Sequence, residues 1–266
     1  MFSEIEQETF WHFRVFDLID RHWGYAYLKS DAERDRNLAL AVATARASDR
    51  AVAVSPALAD ELGSLVGTDV EVLANAIDLD RVAGALGWNG RANQGRNGRR
   101  AVYVGGWNDR VDFDLFERLT QSLPEWDFLV IGGEARIERS NVEFLGNLDY
   151  DSAIRAIASC SVGLLPFKDT EYTRSSSFLK IFDYLAAGVT VLATDLPSVR
   201  AIAEEFPAHV LVRPGVVWAE TLRGNSWVFP SELPLEALPS TSDRVRLLVE
   251  PLDASLGSRL GSEGRS

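Results

Sequence analysis

The side chains of this sequence best suited to hold an anion crowd into "TRSSSFLKIFDYLAAGVTVLATD", residues 173–195. Ser175, Ser176 or Ser177 can cap a helix there, and the free N–H groups and positive dipole end behind the cap favour an anion such as phosphate. Lys180 supplies a countercharge. Asp183 follows about seven residues after the serines, roughly 10 Å of helix rise, which matches the separation of a diphosphate from the ribose hydroxyls of the same nucleotide. Phe178, Ile181, Phe182 and Leu185 recur at i, i+3, i+4 and i+7, which predicts an opposite face packed on a sheet. The same residues also fit a plain N-cap followed by an exposed Lys180/Asp183 pair, and both readings stand at this point.

A second polar cluster lies in "VYVGGWNDRVD", where Gly105 and Gly106 allow close approach of the backbone to a ligand and Arg110 offers a fork of donors to a phosphate. A purely structural glycine turn is the alternative. The motif is not GxGxxG, and no acid follows the next strand where a dinucleotide ribose needs one, which argues against an NAD dehydrogenase. No GxxxxGK[ST] occurs, which argues against a P-loop NTPase.

These clusters need elements to hold them. Apolar runs of strand type at 101–106, 126–133, 141–146, 160–167, 189–194 and 209–213 alternate with helical patterns such as 112–123 and 150–159. That alternation predicts a doubly wound parallel sheet of Rossmann type with helices on both faces. Upstream, strands near 13–20, 50–55 and 70–74 with a helix across 32–47 form a smaller α/β half that looks incomplete. The expected boundaries are a partial α/β domain over 1–83, a Gly/Asn/Arg-rich linker over 84–100, a complete donor-type domain over 101–213, a C-terminal extension with a helix over 214–253, and a disordered tail over 254–266.

Composition narrows the function classes. The formal charge of −12 and pI near 4.8 argue against nucleic acid as a partner. A single cysteine, Cys160, precludes an intramolecular disulfide or a cysteine cluster, and His12, His22 and His209 lack metal-ligand spacing, so no metal site is expected. No apolar run approaches the roughly 18 residues that span a bilayer, and the expected location is cytoplasmic.

Taken in order and spacing, "VYVGGWNDRVDFDLFERLTQSLPEWDFLVIGG", "NVEFLGNLDYDSAIRAIASCSVGLLPF" and "SFLKIFDYLAAGVTVLATD" resemble the donor domain of GT-B glycosyltransferases of the family 4-like, group 1 type. The likeness covers about residues 13 to 212 and implies a GT-B-like fold whose first domain lacks its opening segment. It implies a nucleotide-diphosphate sugar as donor substrate and no cofactor or metal. The acceptor it points to is a glycan or a lipid-linked molecule, with peripheral membrane contact, and oligomeric state is left open. On this likeness Lys180 and Arg110 face the donor diphosphate, the Ser175–Leu179 turn, with Ser176, Ser177 and Phe178, offers amides to phosphate or sugar, Asp183 stands where the family has a ribose-binding glutamate, and Leu148 lies near the nucleobase. Asp17 and Asp20 of "FDLID" resemble an acceptor-side acidic motif, with Asp20 the candidate base, although strand-end carboxylates fit equally. The sequence departs from the family at Ser175 and Asp183, where two glutamates are usual, and at Asn75-Ala76, where Asn-Gly is usual. Two rival readings remain, a nucleotide-sugar-binding module without turnover and a sugar-nucleotide epimerase of the same architecture.

Overall fold

The computed structural model describes residues 13–24, 28–87, 98–134, 137–224 and 233–250. It divides into two compact units, one formed by the residues up to Ala74 together with those from Asp243, the other by Asn75–Ser242.

In the first unit β1 (Val15–Leu18), α1 (Asp31–Arg46), β2 (Arg50–Ala53), α2 (Pro56–Val66) and β3 (Glu71–Val72) make a parallel three-stranded sheet in the order β1-β2-β3. Ser30 and Ser55 cap the two helices by accepting the amides of Glu33 and Leu58, the device that lets each helix start directly after a loop. The core is small, built from Leu18, Trp23, Ala53, Val54, Leu58 and Leu62 with Ala41 and Ala45 of α1. Residues 241–250 are helical, and from Asp243 onward they belong to this unit rather than to an extension of the second. Arg244 binds both carboxylate oxygens of Asp17, at 2.7 and 2.8 Å, and Arg50 donates to the carbonyls of Leu247 and Leu248.

The second unit opens with α3 (Leu79–Leu86), capped by Asp78. The expected linker start at residue 84 is therefore corrected: Gly84 to Leu86 complete this helix, whose Val82 is fully buried in the unit's core. Residues 88–97 lie outside the described residues. The chain continues through β4 (Arg100–Val104), α4 (Phe113–Ser122), β5 (Asp127–Ile131), β6 (Val142–Gly146), α5 (Tyr150–Ala158), β7 (Val162–Leu165), α6 (Glu171–Ser175), α7 (Lys180–Ala186), β8 (Thr190–Ala193), α8 (Pro197–Glu205), β9 (Val210–Val212) and α9 (Trp218–Arg223). All six strands are parallel in the order β6-β5-β4-β7-β8-β9.

That order reverses direction between β4 and β7, the switch point at whose carboxyl end an open α/β sheet leaves a crevice. The central strands are buried on both faces, as a parallel sheet sandwiched by helices requires. Trp218 of α9 is fully buried and donates its indole N–H to the Arg213 carbonyl, so residues 214–223 close this unit. The tail over 254–266 and His12 lie outside the described residues.

Candidate functional site

Two loops leave the sheet at the switch point. After β4 the chain turns through Gly105, whose φ of +133° lies where side chains other than glycine are rarely found, and runs to Arg110. After β7 it passes Phe167, makes the short α6 and reaches α7 through residues 176–179. Lys180, the first residue of α7, brings the loops together. A Cβ placed on Gly105 would stand 2.5 Å from the Lys180 Nζ, so only glycine leaves room for that ammonium against the first loop.

The Nζ sits 4.8 Å from the ring centroids of both Tyr103 and Phe167. Phe167 in turn stacks on Phe178 at 4.8 Å. Cation–π attraction only partly replaces lost hydration. Desolvation, then repulsion from the nearby Arg110, press the Lys180 ammonium down to about 7, with Asp183 pulling the other way.

Arg110 is braced rather than neutralised. Its Nε donates to the Asn108 side-chain oxygen at 3.2 Å and its NH1 to the Tyr172 hydroxyl at 3.1 Å, while the guanidinium lies 5.1 Å from the Tyr172 ring centroid. Neither Lys180 nor Arg110 forms an ion pair with a carboxylate among the described residues. Two cations thus converge at one end of the sheet without a direct ion pair, Asp183 acting on Lys180 electrostatically but not pairing with it, in a chain whose net charge is −12. In a region of low dielectric, such a pair favours a polyvalent anion.

Asp183 lies one turn further along α7. The Tyr150 hydroxyl donates to its Oδ1 at 2.7 Å. Burial raises the Asp183 carboxyl above the ordinary range, and the Tyr150 hydrogen bond and Lys180 oppose that rise.

The expected serine cap is corrected. Ser175 ends α6, and its hydroxyl donates back to the Tyr172 carbonyl at 3.0 Å; Ser176 does the same at 2.9 Å. The N-cap of α7 is Leu179, without a side-chain cap. The serines fold the turn instead of crowning the helix, and no protein acceptor is recorded among the described residues for the amides of Ser177, Phe178, Leu179 and Lys180.

Phe178, Ile181, Phe182 and Leu185 are buried, as the spacing predicts. The exposed Lys180/Asp183 pair is not formed, because both side chains turn toward the sheet end and Asp183 takes Tyr150 as partner. Gly106 follows Gly105, its carbonyl accepting from the Tyr103 hydroxyl at 3.0 Å. Leu148 stands exposed in the loop after β6, two residues before Tyr150, and Leu179 is likewise exposed.

Asp17 is engaged by Arg244, and Asp20 accepts the Arg21 amide at the turn after β1. Both belong to the first unit. Tyr103, Asn108, Tyr150 and Tyr172 were not legible as site residues, although tyrosines in the polar strings "LDYD" and "TEYT" next to predicted strand ends are a usable signal.

The family model for glycosyl transferases group 1 matches residues 98–222. Over those residues, a little under half of its length, the chain is similar to the group 1 glycosyl transferases. Two curated relatives are similar to parts of the chain. A Bacillus subtilis protein described as a teichuronic acid biosynthesis glycosyltransferase is 28% identical over 122 residues, covering 42% of this chain and 31% of that protein. The phosphatidyl-myo-inositol mannosyltransferase of Mycobacterium tuberculosis is 25% identical over 161 residues, covering 55% of this chain and 40% of that one.

The alignments thus span well under half of the curated relatives' own lengths. Among solved structures, sucrose-phosphate synthase of Thermosynechococcus elongatus superposes with a TM-score of 0.70 at 17% identity, over 97% of this chain and 71% of that one. Anabaena HepE, crystallised with UDP and glucose, gives 0.65 at 14% identity over 90% and 71%. The fold of the chain is that of these GT-B proteins.

Proposed function

We propose that this chain binds a nucleotide-diphosphate sugar at the switch point of its second unit and transfers the sugar to an acceptor of glycan or lipid-linked type. The observation that carries the reading is the convergence of Lys180 and Arg110, neither ion-paired to a carboxylate among the described residues, beside the Gly105 turn. Both cations, with the amides of residues 177–180, oppose charge that grows on the diphosphate as the sugar leaves, so stabilisation increases towards the transition state.

No metal is assigned a role, because these groups supply the positive charge a divalent ion would bring. Asp183 takes the ribose, and Leu148 stands at the base end. The HepE complex with UDP and glucose, which shares the fold, motivates a UDP-type donor, and the teichuronic acid and phosphatidyl-myo-inositol in the names of the curated relatives motivate the acceptor class.

Calorimetry with UDP, GDP and UDP-glucose on the purified chain tests the site. Lys180→Ala and Arg110→Ala are each expected to weaken nucleotide binding by roughly ten- to a hundredfold, the range for losing a charged hydrogen bond. Unchanged affinity in both variants refutes the site. Release or transfer of radiolabelled sugar by the same preparation separates turnover from binding alone, and chelation with EDTA is expected to leave both unchanged.

A further inference from the structure

The Asp183 carboxylate is held from outside its own helix. Tyr150, the first residue of α5, donates its hydroxyl to Oδ1 at 2.7 Å, a short phenol–carboxylate bond. The Tyr150 ring is itself fixed, with the Arg81 guanidinium of α3 at 4.8 Å from its centroid and Arg81 tied to Asp151 at 2.8 Å. A braced donor of this kind costs little further entropy when it orients its acceptor.

We propose that Tyr150 is a positioning residue of the donor site, its hydroxyl engaging Oδ1 of Asp183 so that Oδ2 is turned to the vicinal hydroxyls of a ribose and the site selects a nucleoside diphosphate over a bare diphosphate. This rests on the reading above that Lys180 and Arg110 hold the diphosphate. An aspartate reaches one methylene less than a glutamate, so its usefulness to a ribose depends on how firmly it is aimed. Without the phenol, the side chain rotates about χ2, a broad and roughly two-fold torsion.

The bond also fixes the charge state of the acceptor. Burial disfavours the Asp183 carboxylate, and the Tyr150 donor opposes that effect. The groups that face the pair are Lys180 and the buried Tyr184 on α7 and, behind Tyr150, Arg81 and Asp78 at the start of α3. Arg110 and Tyr103 stand next to Lys180, Arg110 opposing its charge and Tyr103 offering its ring face. Removing the phenol donor therefore shifts Asp183 further upward, and the acid limb of nucleotide affinity moves to higher pH.

The test titrates the tightest of UDP, GDP and ADP, together with inorganic pyrophosphate, into wild type, Tyr150→Phe, Asp183→Asn and the double variant. Tyr150→Phe is expected to lose roughly tenfold on the nucleotide, the worth of one hydrogen bond to a charged group, and nothing on pyrophosphate. Its acid limb is expected at higher pH, and the double variant no weaker than Asp183→Asn alone. Nucleotide binding and a pH profile equal to wild type, or an equal loss on both ligands, overturn the positioning role while leaving the diphosphate site standing.

Should Tyr150→Phe fail to fold, wild type alone decides. A nucleotide lacking its 2′ and 3′ hydroxyls must then lose a comparable factor, and undiminished affinity for it overturns the proposal. Absence of binding of every nucleotide and of pyrophosphate to wild type removes this inference together with the function it rests on.

Discussion

Lys180 combines the two demands of an anion site, a cation in place and a cation that is poorly paired. Its folded-state pKa of about 7 lies below the ordinary 10.5. Between those values the unfolded chain binds more protons than the native one, so native stability rises with pH across the window from about 7 to 10.5, and the cost of burying the charge is largest below it. A Lys180→Met variant is therefore expected to be more stable than wild type at pH 6, with an advantage that shrinks as pH is raised towards 9, read from melting temperatures. Binding reverses the sign of the problem. A diphosphate beside Lys180 favours the ammonium, so UDP binding at pH 8 should draw up to one proton from the buffer. The slope of calorimetric enthalpy against buffer ionisation enthalpy measures that uptake, and a slope indifferent to Lys180→Met would rule Lys180 out as its source.

At the scale of elements, α7 is seated by two glycines with different jobs. Gly163 in β7 is glycine because the Tyr184 ring of α7 lies against it, and a Cβ there would approach ring carbons to within 2.4 Å. Tyr184 is fully buried and accepts the Val104 amide at 3.0 Å, so the ring cannot step aside. Gly163→Ala is expected to cost about 1–3 kcal/mol in urea unfolding, the usual price of overpacking a core. Gly105→Ala instead forces an unfavourable φ and displaces the Lys180 Nζ. It should weaken nucleotide binding at least tenfold while shifting the unfolding midpoint less than Gly163→Ala does, a contrast that calorimetry and denaturation together read. The elements themselves were mostly legible, because apolar runs such as "WDFLVIGG" and "CSVGLLPF" have no other comfortable state than a buried strand. The serine cap was misread. The string Ser175–Ser177 offers equally good hydroxyls for ending one helix or starting the next, and the choice was made by Tyr172 at i−3 and i−4, whose carbonyl takes two of them.

For the whole molecule, what local patterns could not disclose was which distant segments close each unit. Helix α3 follows the small sheet in sequence yet packs with the large one through Val82, and the helix over 241–250 returns to the small one. Such pairings are set by long-range contacts, with Asp17 and Arg244 lying 227 residues apart. Asp17, for which the sequence left open an acceptor-side acid and a strand-end carboxylate, is committed to that contact. Its carboxylate is partly buried and takes two charged hydrogen bonds, while Arg244 also donates to the Ala74 carbonyl at 3.0 Å. Truncating the arginine leaves an uncompensated acid and a free carbonyl, and a loss of about 1–3 kcal/mol is expected, between the values for exposed and buried pairs. The loss should be local. The second unit has its own six-stranded core, so amide exchange in Arg244→Ala is expected to accelerate in β1, β2 and the 241–250 helix while β4, β5, β7 and β8 keep their protection. Because the proposed nucleotide site uses residues of the second unit alone, nucleotide affinity should then be unchanged in the same variant. A parallel loss of protection in β4 and β7, or of UDP affinity, would show that the two units share one cooperative transition and that the donor site depends on both.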